Sequence, residues 1–243
     1  MKNRTRNGFT LVEMAIALAV AALVLGAGLT LLSTQLDQQR IQDTRALLVD
    51  AQDALIGFAI ANDRLPCPAS ATSNGVEDPA VVTGTCNHPY DGFLPAVTLG
   101  LSGVDANGYL MDAWRLSQNR IRYAVTTANG RAATTPNGIK TVTMSGFAPD
   151  LSVCVSAAGI TATACGTATV LTNNAVAVIF SRGKNATNGG TGADEAANLD
   201  GDQVFVSHAM APAEAPGGEF DDQLTWLSPN ILFNRMVQAG RLP

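Results

Sequence analysis

Histidine is nearly absent from the chain of 243 residues: only His88 and His208 occur, and none of the four cysteines forms the CxxC spacing typical of a zinc site. Two histidines also give little material for a general base. No serine, cysteine or threonine stands in a recognisable nucleophile context. The sequence therefore predicts neither a zinc protein nor an enzyme.

Charge is scarce as well, since only 14% of the residues are Asp, Glu, Lys or Arg. Three of the 15 basic residues, Lys2, Arg4 and Arg6, lie within the first eight positions. Without those three, 12 basic residues face 20 acidic ones, a side-chain balance of −8. This balance argues against nucleic acid as a partner, because binding to phosphates requires a basic surface.

No charge interrupts residues 14–36, and Glu13 stands at the head of this apolar run. At about 1.5 Å per helical residue, the run is long enough to cross a hydrocarbon core of about 30 Å. A cleaved secretory signal peptide is the alternative, since the first residues are basic. Two features oppose it: the run exceeds a usual h-region, and a carboxylate in lipid costs roughly 2.5–3.5 kcal/mol. We therefore predict a membrane helix.

The stretch Arg6-Asn7-Gly8-Phe9-Thr10-Leu11-Val12-Glu13 resembles the type III signal of type IV pilins and type II secretion pseudopilins. The resemblance implies that residues 1–8 are a leader, which a prepilin peptidase removes by cutting between Gly8 and Phe9. It also implies that the new terminal Phe9 is N-methylated and that Glu13 becomes the fifth residue of the mature chain.

Cleavage after Gly8 would give Glu13 a partner. It deletes three cationic side chains and creates an ammonium group at Phe9. In a bundle of such helices, Glu13 of one subunit can pair with the terminal amine of a neighbour, which offsets two desolvation costs and helps to set the register of a filament. The alternative is a signal-anchor helix whose Glu13 merely lies at the level of the lipid headgroups.

The predicted fold class is α+β, with a long N-terminal helix packed on an antiparallel β-sheet, as in pilins. Residues 9–36 form the transmembrane half of the helix, and residues 37–63 form an amphipathic half that ends before Pro66. Residues 64–243 form a globular, β-rich domain. Strands are predicted at residues 122–127, 140–144, 151–155, 175–180 and 203–207, and a short helix follows from Ser228-Pro229 to Ala239.

All four cysteines lie beyond the apolar run, and the positive-inside rule places this part of the chain in an oxidising compartment. Four cysteines permit three pairings. The sequential pairs, Cys67 with Cys86 and Cys154 with Cys165, close short loops and would each contribute roughly 3 kcal/mol. Metal ligation is the alternative, although the zinc pattern is missing.

A Gly-rich segment near the C-terminus is acidic, and a pair of aspartates follows it shortly before Trp226. Clustered carboxylates in a flexible loop suit calcium, which takes six to eight oxygen ligands. The layout is similar to the calcium loop of major pseudopilins, although residues 203–207 interrupt it. We therefore expect a calcium site at Asp194, Asp200, Asp221 and Asp222; a solvated acidic loop is the alternative.

The resemblance implies a structural subunit of a type IV pilus or a type II secretion pseudopilus. Its implied partners are other pilins or pseudopilins, the prepilin peptidase, an inner-membrane assembly platform and membrane lipid. Its implied location is the bacterial inner membrane, crossed once, with a periplasmic C-terminal domain, and then the assembled filament. The length of the chain and its long central loops favour a minor or tip subunit. A membrane-tethered binding module that never polymerises is the alternative.

Overall fold

A computed structural model describes residues 10–81, 83–116, 119–188 and 192–242, without the side chains of residues 24–32 and of residue 188. The chain divides into two compact units, with the boundary between Gln42 and Asp43. The helices and strands, in chain order, are α1 (Leu11–Asn62), β1 (Gly92–Phe93), β2 (Arg122–Val125), α2 (Ala128–Arg131), β3 (Leu151–Cys154), β4 (Val170–Ala175), β5 (Ala177–Ser181), α3 (Ala193–Ala197), β6 (Val204–Val206), β7 (Gln223–Leu227) and α4 (Pro229–Gln238).

The long N-terminal helix is confirmed: α1 has 52 residues. It ends where Asp63 adopts a left-handed conformation (φ 56°), shortly before Pro66. Among the residues described, no helix combines the length and the hydropathy that a membrane span requires. The transmembrane half therefore stays a prediction.

The first sheet has the strand order β1-β2-β5-β7, and every neighbouring pair in it is antiparallel. The second sheet has the order β4-β3-β6. There β3 and β4 are antiparallel, with breaks in their register, whereas β3 and β6 are parallel. The α+β class is confirmed, but the strands form two sheets rather than one, and the second sheet is mixed.

The first sheet is the middle layer of the second unit, and β5 shows why. Alternate side chains of its strands, such as Ile179, pack in one cluster with Leu55 and other residues from the C-terminal part of α1. The intervening side chains, such as Phe180, pack with Val153 and Phe205 of the second sheet. Because β5 is covered on both faces, all five of its residues are buried, and its sequence is a continuous apolar run up to Ser181.

Two of the predicted strands are corrected, and three observed strands were not predicted: β1, β7 and all of β4 except Ala175. Residues 138–141 form a 3₁₀ turn instead of a strand, because Asn137 starts a turn in the left-handed conformation (φ 58°). The predicted strand 175–180 is split at Val176, so that its two parts belong to different sheets. Strand β7 was not predicted, since the apolar residues near Trp226 form too short a pattern.

Two disulfides and a buried ion pair hold the loops of the second unit. Cys67 is bonded to Cys86 (S–S 2.01 Å) and Cys154 to Cys165 (2.02 Å), which is the sequential pairing. Both Arg64 and Glu77 are buried, and their side chains make two hydrogen bonds of 2.8 and 2.7 Å. The carboxylate of Glu77 also accepts the Cys67 N–H at 3.1 Å, which ties the loop to the first disulfide.

Candidate functional site

The start of α1 is fixed by a reciprocal pair of hydrogen bonds. The backbone N–H of Thr10 donates to Glu13 Oε2 (2.9 Å), and the backbone N–H of Glu13 donates to Thr10 Oγ1 (3.2 Å). This is a capping box, which satisfies two N–H groups that the first turn of a helix leaves without partners. Glu13 is exposed, and in the single chain its described side-chain hydrogen bonds are with Thr10 of the same helix start. Gly8 and Phe9, the predicted cleavage and methylation residues, lie outside the described residues.

A cluster of three carboxylates forms where α3 meets the residues that precede β7. Glu195 comes from α3, and Asp221 and Asp222 come from the end of the preceding loop. One carboxylate oxygen of each lies within 4.8 Å of the others, which is close enough for one metal ion. Glu195 is 1% exposed and Asp222 is 7% exposed, so the cluster lies largely inside the protein.

Amide groups orient the three carboxylates. The side-chain Nδ2 of Asn185 donates to both oxygens of Glu195 (2.9 and 3.0 Å), and the backbone N–H of Asp221 donates to Glu195 Oε1 (2.9 Å). The side chain of Asn198 donates to Asp222 Oδ2 (2.8 Å). Two oxygens beside the cluster, Asn185 Oδ1 and Asp221 Oδ1, are buried without a hydrogen-bond partner. The cluster therefore offers carboxylate and amide oxygens, which are the ligands that hard cations prefer.

Burial and mutual repulsion change the protonation of the cluster. Burial raises the pKa of Asp222 to about 8; the Asn198 hydrogen bond opposes this increase, and the charges of Glu195 and Asp221 add to it. Burial likewise raises the pKa of Asp221 to about 6, against its backbone hydrogen bonds and with support from Glu195. Without a cation, the cluster therefore holds a proton at neutral pH.

The predicted calcium ligands only partly meet. Asp221 and Asp222 are in the cluster, but Asp194 accepts the Ala157 N–H at 2.6 Å and contacts His208 Nε2 at 3.1 Å. Asp200 is exposed and instead accepts the backbone N–H of Asp202 at 3.2 Å. The structure thus groups two of the four predicted residues with Glu195, and it leaves Asp194 and Asp200 outside this group. Whether a cation binds there stays a prediction.

Comparison with known proteins bears on the N-terminus. Residues 3–29 match the family described as the prokaryotic N-terminal methylation motif. The chain carries a prepilin-type signal. No curated protein and no solved structure gives a significant match.

The prepilin-type signal is found in type IV pilins and pseudopilins. It covers only 27 positions of the chain and overlaps α1 from Leu11 onward. The resemblance at Gly8, Phe9 and Glu13 is therefore confirmed at the level of the motif, and the matched residues do not extend into the second unit.

Sequence reasoning did not assign three residues to these sites: Thr10, Glu195 and Asn185. Thr10 and Glu13 have the Thr-x-x-Glu spacing of a capping box, a signal that is present in the sequence. Glu195 belongs to the acidic segment but was not selected, and Asn185 was not assigned to the site because it is an uncharged residue outside the acidic segment. No local pattern reveals Asn185, since its role depends on how two loops fold together.

Proposed function

We propose that the chain is a minor subunit of a type IV pilus or a type II secretion pseudopilus. The observation that carries the proposal is the methylation motif at residues 3–29, which runs directly into a helix of 52 residues. A globular unit with two disulfides follows that helix. This order of a cleavable basic leader, an assembly helix and an exported domain suits a subunit that polymerises through its helix.

In this proposal, a prepilin peptidase cuts between Gly8 and Phe9, and Phe9 is N-methylated. The apolar part of α1 holds the chain in the bacterial inner membrane, and the globular unit lies in the periplasm. An assembly platform then inserts the chain among other pilins. Glu13 pairs there with the Phe9 ammonium of a neighbouring subunit, because each group would be poorly solvated alone.

Mass spectrometry of the protein extracted from membranes tests the processing step. We expect Phe9 as the N-terminal residue, carrying one methyl group. A chain that retains Met1, or one cut beyond residue 36, would refute the proposal. A Gly8→Leu variant should remain uncut because of its bulk at the cleaved bond, whereas Asn7→Gln is the matched control and should be processed normally.

We further propose that the cluster of Glu195, Asp221 and Asp222 binds calcium. The support is its burial, its oxygen-only composition and the two buried oxygens without partners, Asn185 Oδ1 and Asp221 Oδ1. Calcium would replace the proton that the cluster holds and would link α3 to the start of β7. If one calcium ion binds, a free calcium concentration of about 100 times its Kd would stabilise the folded chain by about 2.7 kcal/mol.

Thermal unfolding of the full chain in nonionic detergent tests this proposal. The melting temperature should rise as calcium increases from micromolar to millimolar concentration, and it should return to its starting value when a chelator is added. Glu195→Gln should abolish the response, and Asp200→Asn should leave it unchanged. Equal melting temperatures in calcium and in chelator would rule out the site.

A further inference from the structure

Strand β7 is an edge strand, because the order β1-β2-β5-β7 leaves one side of it without a neighbour. In the described part of the chain, its main chain bonds only to β5 and to Val176. In an antiparallel sheet, alternate residues of an edge strand point both their N–H and their C=O away from the sheet. The outer side of β7 is therefore a row of free donors and acceptors.

The other three sheet edges are closed or interrupted. Ala69 pairs with Phe93 on the outer side of β1 through two hydrogen bonds of 2.8 Å. The Asn198 side chain bonds to both the N–H (2.7 Å) and the C=O (3.1 Å) of Val206 in β6. Strand β4 also has no neighbour on its outer side, but its register with β3 is broken twice, and such irregularities bend and twist a strand. Strand β7 has neither kind of protection.

A cavity of about 390 Å³ opens at the beginning of β7. Its walls come from α1, from the segment after β6 and from the first residues of β7; they include Arg45, Val49, Met210, Gln223 and Thr225. Val49 and Met210 are 55% and 39% exposed, so the walls offer apolar surface beside the free edge.

Gln223 is a buried amide that nothing in the described chain satisfies. Gln223 is only 6% exposed, and neither its side-chain Nε2 nor its Oε1 has a hydrogen-bond partner among the described residues. Thr225, two residues along the strand, donates from Oγ1 to Gln52 of α1 at 3.1 Å. Because side chains two residues apart share a face of a strand, Gln223 points to the α1 side, where the cavity lies. An unpaired buried amide destabilises the folded chain unless a ligand pairs with it.

The donor and the acceptor of a side-chain amide are complementary to the C=O and N–H of a peptide group. A peptide strand beside β7 would also satisfy the free main-chain groups of the edge. Arg45 lines the cavity, is exposed and makes no ion pair with any described residue, so it is complementary to a carboxylate.

We propose that the outer edge of β7 and its adjoining cavity bind an extended peptide segment of another protein. The segment adds a strand to the first sheet, pairs one of its peptide groups with the Gln223 amide and places an acidic group at Arg45. The site lies entirely in the second unit.

The test is selection from a phage library of random peptides of 12 residues, with the full chain in nonionic detergent as the target. Recovered peptides are then synthesised, and their Kd is measured against the natural chain and against Gln223→Met. We expect affinity to fall about tenfold or more in Gln223→Met, the effect of losing one or two hydrogen bonds in a buried site. Asn173→Leu, which changes an exposed amide on the edge strand β4, is the matched control and should bind normally.

Two further measurements separate strand addition from other modes of binding. Peptides N-methylated at one set of alternate residues should lose binding, whereas those methylated at the other set should retain it, because only one side of the added strand faces β7. Arg45→Gln should weaken acidic peptides about threefold to tenfold and reduce the salt dependence of their Kd. Gln223→Met should unfold at the same or a higher temperature, so its loss of binding would not reflect misfolding.

Several results would overturn the proposal. If no peptide is recovered, or if the recovered peptides bind Gln223→Met equally well, the cavity holds only water. If both N-methylated series bind alike, the peptide does not form a strand. If the chain instead dimerises without peptide and Gln223→Met abolishes the dimer, the edge pairs with a second copy of the chain.

Discussion

Replacement of Asp222 by Asn should remove a large pH dependence from the stability of the calcium-free chain. The pKa of Asp222 is about 8 in the folded chain, against an ordinary value of 3.8. Between those two pH values the folded state binds a proton that the unfolded state has released. The free energy of unfolding therefore decreases as the pH rises through this window, and the stabilisation is lost above about pH 8.

The magnitude follows from the same two pKa values. Each pH unit inside the window changes the free energy of unfolding by about 1.36 kcal/mol, so three units, from pH 5 to pH 8, correspond to about 4 kcal/mol. Asp222→Asn keeps an oxygen that can accept the hydrogen bond from Asn198, but it has no proton to lose. The variant should therefore lack this decrease and be more stable than the natural chain at pH 8.

Urea unfolding in the presence of a chelator measures this difference, with the full chain in nonionic detergent. The fluorescence of the two tryptophans, Trp114 and Trp226, reports on unfolding of the second unit, which contains both of them. The difference between the variant and the natural chain cancels the contributions of titrating groups that do not interact with Asp222. The free energy of unfolding of each chain is plotted against pH. If the natural chain becomes more stable from pH 5 to pH 8 relative to Asp222→Asn, or if the two plots are parallel, the pKa of Asp222 is not raised in the folded chain. Millimolar calcium should offset the decrease only in the natural chain.

Three further predictions concern other parts of the chain. Glu13→Gln keeps a capping-box partner and loses the charge, whereas Glu13→Val loses both. If the charge serves assembly, both variants should be missing from sheared filaments. Normal incorporation of Glu13→Gln would show that Glu13 serves only as the cap of its own helix. Arg64→Met and Glu77→Leu should each cost about 3–5 kcal/mol in urea unfolding, because each leaves a buried charge without its partner, and the double variant should recover most of that loss. Replacing both Cys154 and Cys165 by Ser should cost about 3 kcal/mol, measured in the same way, whereas an unchanged midpoint would show that the bond does not stabilise the fold.

The elements that sequence reasoning predicted well carry their signal locally. The helix α4 begins where Ser228 accepts the Ile231 N–H (3.3 Å) and Pro229 occupies the first turn, as the Ser-Pro pair indicates. Strand β5 was predicted from four consecutive apolar residues, and the structure buries it on both faces. In both cases the deciding interactions lie within a few residues of the chain.

The sheet arrangement was less predictable, because it depends on long-range pairing. The apolar residues around Val176 read as one strand, yet the chain bends there, and Ala175 pairs with Leu151 while Ala177 pairs with Val125 and Leu227. No residue in this stretch is a glycine or a proline that would mark the bend. The division into two sheets is set by what packs on each side of the stretch, and a local pattern cannot supply this information.

The acidic segment shows the same limit at the scale of a site. Asp194 and Glu195 are neighbours on α3, and successive helical residues point about 100° apart. One therefore contacts Ala157 and His208, and the other joins Asp221 and Asp222. From the sequence alone, we treated this segment as a flexible loop, in which nothing distinguishes the directions of the two side chains. We therefore selected Asp194 rather than Glu195 as a calcium ligand. The direction of the two side chains on the helix separates them. Because the two carboxylates make different contacts, loss of α3 would disrupt both the cluster of three carboxylates and the packing of the segment that follows β6.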